Sequence, residues 1–173
     1  MIEPAPPYRG EGPRALWHVS EDAAIERFRP RGGRVWAIDT RHLPLYWFPR
    51  EAPRATFWAN SKTTGEAVDE FLGGERSRRV HVIEPEWVDA MRTTRVIAYR
   101  LAEATFERWD RFWISPVAVE PLELVELGDL VERHAKADTD LAVEDDLTAL
   151  WQRVIASTLD FSGIRLRNAS MAR

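Results

Sequence analysis

The chain has 173 residues, with 24 basic and 28 acidic side chains and a net charge of −4, which suits one soluble domain with a genuine core. It has no cysteine, so disulfides, a thiol nucleophile and a thiolate metal site are excluded, and a reducing, cytoplasmic setting is expected. The near-balanced charge supplies no global field for nucleic acid or an anionic membrane, and no apolar run reaches the roughly 20 residues that span a bilayer.

Residues 1–13 carry Pro4, Pro6, Pro7, Pro13, Gly10 and Gly12. They read as a flexible leader without the hydrophobic core of a signal peptide. The ordered domain is expected to begin at residue 14. Leu16, Trp17 and Val19 form a short strand-like run around His18. Ser20 then reads as an N-cap, with Glu21 and Asp22 in the first turn of a helix carrying Ile25 and Phe28 and ended by Pro30, Gly32 and Gly33. Val35, Trp36 and Ile38 make a second strand, and Asp39 or Thr40 caps a turn kept short by Pro44 and Pro49.

A third apolar run, residues 55–59, precedes a helix with Val68, Phe71 and Leu72 on one face, closed by Gly73 and Gly74. RRVHVI reads as a strand, Glu84 and Pro85 start another helix, and residues 95–101 return as a strand. Strands follow at FERWD, FWIS and LELVEL. From about residue 128 the pattern becomes a helix–strand–helix addition. Its last helix has Leu147, Leu150, Trp151, Val154 and Ile155 on one stripe, with Asp145 or Asp146 at its start. The tail alternates Ile164 and Leu166 with Arg165 and Arg167, so an extended chain would offer both guanidinium groups on one side.

The eight tryptophans are a heavy load for this length, and indoles serve as core or as cleft walls. The four histidines, His18, His42, His81 and His134, have no metal-ligand spacing, so no metal is expected. No GxSxG, GxxxxGK[ST] or GxGxxG motif is present.

LWHVSED (16–22), RPR (29–31), VWAID (35–39) and SGIRLRNA (162–169) together resemble a small family of bacterial proteins with no established activity. A looser resemblance is to the ADP-ribosyltransferase fold, in which a strand ends in His and a small hydroxyl residue, a second reads aromatic-Ala-x-Asp, and a Tyr follows. The matching positions are His18 with Ser20, then Trp36, Ala37 and Asp39, then Tyr46. The resemblance implies that His18 orients a ribose, that Tyr46 or Trp36 stacks on a base, and that a Glu after FWIS, Glu120 or Glu123, stabilises the reacting centre. RNA 2′-phosphotransferases are similar in fold and use Arg on phosphate, a part open to Arg29, Arg31, Arg165 or Arg167.

The expected architecture is a single α+β domain over 14–173, with a mainly antiparallel sheet, open to splitting in the ADP-ribosyltransferase manner, and flanking helices. The expected function is a nucleotide- or NAD-handling glycosyl- or phosphotransferase. His18 and Glu120 are its catalytic candidates, and Ser20, Arg31, Trp36, Asp39, Tyr46, Trp113, Arg165 and Arg167 are its ligand-binding ones. The competing expectation is a non-catalytic module that binds a ligand or protein through a Trp-rich face. Independently of either function, the plainer reading of the residues has His18 and Trp36 serve the core and Ser20 act only as a cap.

Overall fold

The computed structural model describes residues 14–137 and 139–170; the leader expected over 1–13 lies outside them. The fold is α+β and mainly antiparallel. Two compact units emerge, one from residues 14–47 and 95–128, the other from 48–94 and 129–170. Among the described residues, no helix is long and apolar enough to cross a membrane.

The first unit is a six-stranded antiparallel sheet. Its strands are β1 (Ala15–Ser20), β2 (Val35–Asp39), β5 (Ile97–Ala102), β6 (Glu107–Trp109), β7 (Phe112–Ser115) and β8 (Glu123–Glu126), in the order β6-β7-β2-β1-β5-β8. Because side chains alternate across a strand, Leu16 of β1, Val35 and Ala37 of β2, Ile97, Tyr99 and Leu101 of β5 and Trp113 of β7 share one face. They are buried there with Phe28, Phe106 and Val119. The edge strand β8 leaves Leu124 exposed but lays Glu123 and Glu126 against Arg100 and Arg95, a charged edge that discourages further pairing.

The helix expected after Ser20 does not form. Residues 21–27 are an irregular loop, and Phe28 instead makes a two-way backbone bridge with Val119. Local side chains supply the reason. Ser20 Oγ accepts the Asp22 amide, Asp22 Oδ1 accepts the Ala24 amide, and the buried Tyr99 hydroxyl donates to the Asp22 carbonyl at 2.6 Å while accepting the Ile25 amide at 3.3 Å. The bonds at the Asp22 carbonyl and at the Ala24 and Ile25 amides consume backbone groups that a helix would need.

The second unit is built on β3 (Arg54–Trp58), β4 (Arg79–Ile83), β9 (Asp140–Val143) and β10 (Asp160–Ile164), in the order β10-β3-β4-β9, with only β9 parallel to its neighbour. The segment after residue 128 thus contributes two of these four strands as well as helices. Helices α1 (Gly65–Leu72) and α4 (Leu147–Ala156) bury Ala67, Val68, Leu72, Leu147 and Val154 against Ala55, Phe57, Val80 and Val82. Thr64 caps α1 through the Ala67 amide, Gly73 ends it at φ 61°, and Asp146 caps α4 through the Ala149 amide, the polar start and left-handed stop expected of such helices. Helix α2 (Val88–Thr93) follows a single turn led by Pro85, and α3 (Leu130–Lys136) is capped by Asp129. Alternation places Thr56 and His81, a registered pair, on the face opposite Phe57 and Val80, and there His134 of α3 meets His81.

Candidate functional site

The site arises from an interrupted ladder in the first unit. Strands β1 and β5 pair along all of β1, from Ala15↔Ala102 to Ser20↔Ile97, whereas β1 and β2 pair only at Leu16↔Asp39 and Trp17↔Ile38. Strand β2 remains in register with β7 through Val35↔Ser115 and Trp36↔Ile114. The sheet therefore opens between β1 and β2 beyond Trp17. Across that opening, the Trp36 carbonyl bonds the His18 imidazole at Nδ1, 2.7 Å away, in place of a β1 amide. A carbonyl can only accept, so Nδ1 carries the proton and Nε2 is the acceptor of the neutral ring. The ring is also fixed by Phe28, with centroids 4.6 Å apart.

An open pocket, with about 340 Å³ of empty space including its mouth, lies at this split. Trp17, His18, Val19, Trp36, Ala37, Ile38, Tyr46 and Phe112 line it. Trp17 is held by its indole N–H, which donates to Thr40 Oγ1 at 2.9 Å. Trp36 packs nearly edge-on to both Phe112, at 5.4 Å, and Trp109, at 5.2 Å. Tyr46 arrives on a single 3₁₀ turn (Leu43–Tyr46) set by Pro44. Below this turn, Asp39 Oδ1 accepts both the amide and Nδ1 of the buried His42, at 3.0 and 2.9 Å. Burial pushes the Asp39 carboxyl up, but the hydrogen bonds from His42, with Arg14 nearby, outweigh it and hold the group below its ordinary value.

Of the residues singled out by sequence, the pocket brings together His18, Trp36 and Tyr46. Ser20, Asp39, Trp113, Arg31 and Glu120 belong to the same unit but do not line it. Ser20 closes a turn and Asp39 is engaged by His42. Trp113 is buried on the opposite face with the Arg14 guanidinium 4.9 Å above it, and Arg31 is tied to Arg34 through the backbone. Glu120 is solvent-exposed beside Arg27 at 3.8 Å. Arg165 and Arg167 lie in the other unit, and the extended strip expected for them is replaced by a turn. Arg165 adopts φ 56° and Leu166–Asn168 is a 3₁₀ turn, because Arg165 reaches Glu51, the Asn168 amide group donates to the Glu51 carbonyl, and the Ser170 amide donates to Glu84. Sequence reasoning passed over Trp17, Ile38 and Phe112 as wall residues. The signal was their position one residue out of phase with the buried Leu16, Ala37 and Trp113.

The other histidine arrangement is sealed. His134 Nδ1 donates to the Leu130 carbonyl at 2.6 Å, so its Nε2 accepts from His81 Nδ1 at 3.0 Å. This leaves His81 Nε2 as a buried lone pair with no hydrogen-bond partner. Phe48 packs against both rings. Burial, then His134, Arg79 and Arg54, hold His81 far below an ordinary histidine; burial, with Arg133 adding, lowers His134 despite its bond to Leu130. Among the described residues, no group of three or more His, Asp or Glu side chains is placed to hold a metal ion.

Residues 17–169 match DUF6886, a family of unknown function. The chain belongs to this family. No curated protein and no solved structure matches it. The matched span runs from Trp17, at the open ladder, to Ala169, beyond the tail turn, so this DUF6886 member carries the pocket walls and the docked tail within the family region.

Proposed function

We propose that this chain binds the planar base of a nucleotide, NAD among the candidates, in the split between β1 and β2. The observation that carries the reading is the convergence of His18, Trp36 and Tyr46, with Trp17 and Phe112, on one open pocket. Aromatic walls favour a flat ligand, because a ring can be stacked on at small conformational cost and every base has a π-face. The roughly 340 Å³ of empty space includes solvent at the open mouth, so the enclosed part falls below the usual range of ligand pockets and would hold part of a flat ring, with the sugar and the rest of a nucleotide outside. In this reading Trp36 or Tyr46 stacks on the base and His18 lies against the ribose, as the likeness to ADP-ribosyltransferases implies.

Support for a transfer reaction is thinner than support for binding. The pocket walls include no carboxylate, and Glu120 is engaged at the surface with Arg27. Binding without chemistry is therefore the form of the proposal that the geometry favours. Tryptophan fluorescence titrated with NAD, nicotinamide and adenosine tests it. Saturable quenching by at least one of them, weakened about tenfold or more in Trp36→Ala, is expected from the loss of one stacking partner. Wild-type protein that binds none of them removes the reading, and nicotinamide release from NAD that disappears in His18→Ala would reinstate transfer.

A further inference from the structure

We propose that Arg34 and Arg111 form an anion-binding flank to the aromatic pocket, so that its ligand is a base bearing a phosphate rather than a free base or nucleoside. The proposal rests on the nucleotide-binding reading above.

The starting point is the pair of rings packed on Trp36. Trp109 and Phe112 both pack against it nearly edge-on, and each carries a guanidinium over its own face. Arg34 Cζ is 5.0 Å from the Trp109 centroid, and Arg111 Cζ is 5.1 Å from the Phe112 centroid. Arg111 thus lies over a ring of the pocket wall, and Arg34 is one ring removed from it. A guanidinium lying on an aromatic face is oriented without losing its in-plane N–H groups, the donors that match phosphate oxygens in pairs.

Both are placed at the ends of paired strands. Arg34 directly precedes β2 and is tied to Arg31 by reciprocal backbone bonds of 2.9 and 3.3 Å. Arg111 is in the two-residue link between Trp109 and Phe112, a registered pair, with Asp110 beside it at φ 56°.

The second observation is the shortage of acceptors. Four guanidinium groups of this unit are met by carboxylates, Arg14 by Glu103, Arg27 by Glu120, Arg95 by Glu126 and Arg100 by Glu123, while Arg108 donates to the Asp110 carbonyl. Among the described residues, neither Arg34 nor Arg111 makes such a pair, and Nε and Nη1 of Arg111 are shielded from water with no hydrogen-bond partner. Shielding a charged donor without an acceptor is costly. A phosphate would meet Arg34 as an exposed cation, and its charge beside Arg111 would offset the cost of shielding that guanidinium. A nucleoside would leave both as they are.

Calorimetric titration at low salt with adenosine, AMP, ADP and NAD tests the inference on wild type, R34Q, R34E and the R34Q/R111Q pair, each checked by melting. Wild type is expected to bind ADP or NAD about tenfold or more above adenosine, the scale of one charge-assisted contact. R34Q/R111Q should erase that preference while adenosine binding stays within about threefold of wild type. R34E, altering an exposed side chain, provides the same readout should the double variant fail to fold: it should weaken ADP more than adenosine. Equal wild-type affinity for adenosine and ADP, or a phosphate preference that survives the variants, overturns the inference and leaves the aromatic pocket standing. A wild type that binds neither nucleoside nor nucleotide overturns the pocket reading, and this inference falls with it.

Discussion

The two sheets of this chain treat their polar groups in opposite ways. In the six-stranded sheet a ladder is broken between β1 and β2, and an imidazole takes the place of a backbone amide on the Trp36 carbonyl beside an open pocket. In the four-stranded sheet the ladders run unbroken, helices cover the apolar face, and His81 and His134 are buried against each other. Every α-helix among the described residues belongs to the second arrangement. A broken ladder is tolerable only where something gains from it, whereas buried, mutually bonded histidines add order at the cost of acid tolerance. Stability should therefore respond most to changes in the four-stranded unit, and ligand binding to changes in the other.

The largest effect is expected at Trp151. Its ring packs edge-on to Phe161 at 5.3 Å and against the backbone of Gly163, where an added Cβ would come within 2.7 Å of the indole. Trp151→Ala should cost about 2–4 kcal/mol, somewhat under a fully buried tryptophan because the ring is half-buried. Gly163→Ala should cost about 1–3 kcal/mol through overpacking, and that cost should shrink in the Trp151→Ala background. Urea denaturation of the two single variants and the double variant reads the coupling; strictly additive losses would show that the indole does not confine Gly163.

The histidine pair gives the next effect, with a definite sign. Burial holds both folded-state values below the unfolded one. The stability they contribute is thus present above the ordinary histidine pKa and is lost as the pH falls through it toward the folded values, because the unfolded chain takes up protons that the native one refuses. Between about pH 7.5 and about pH 5.5 the loss should come mostly from His81, at most about 1 kcal/mol, and less from His134, whose bond to Leu130 works against its lowering. A His81→Phe, His134→Leu variant should lose less stability over that window than wild type; an equal loss would place the acid sensitivity elsewhere.

The contrast also explains what could be read in advance. Much of the four-stranded unit was legible, including Gly73 as a left-handed stop, Pro85 in a first turn and Leu147 and Val154 on the α4 stripe, but Ile155 of that stripe is exposed and strand β10 reads in sequence only as tail. Those signals are local and repeat with the helical period. The helix assigned to residues 21–28 failed because Tyr99, a residue 77 positions from Asp22, decides that loop. The convergence of His18, Trp36 and Tyr46 could be suspected from strand ends, but the break in pairing that opens the pocket depends on register between strands, and no local pattern encodes it. Arg165 and Arg167 misled for a related reason. Alternation suggested an extended strip, and the partners that curl the tail, Glu51 and Glu84, are remote in sequence.

Tyr99→Phe sharpens that point at a smaller scale. It removes a buried hydroxyl that serves the Asp22 carbonyl and the Ile25 amide, so about 1 kcal/mol of stability should be lost. Hydrogen exchange should quicken at Ile25 while the amides of β5 keep their protection. Quickening spread evenly over β5 would mean that the ring, and not the hydroxyl, orders the loop.

The smallest effect on stability, and the one that bears most on function, is expected at His18. Its Nδ1–H donates to the Trp36 carbonyl across the open ladder. Asn carries an N–H donor at a comparable distance from the backbone, so His18→Asn can keep that bond while removing the ring from the pocket wall; His18→Ala removes both. His18→Ala should therefore cost about 1 kcal/mol and His18→Asn about 0.5 kcal/mol or less. If the imidazole faces a ligand, both variants should bind nucleotide more weakly despite this difference in stability. Denaturation curves and fluorescence titrations on the same samples separate the two roles. An Asn variant that binds as wild type would reduce His18 to a strap across the split, whereas one that melts as wild type and no longer binds would make its ring part of the binding surface.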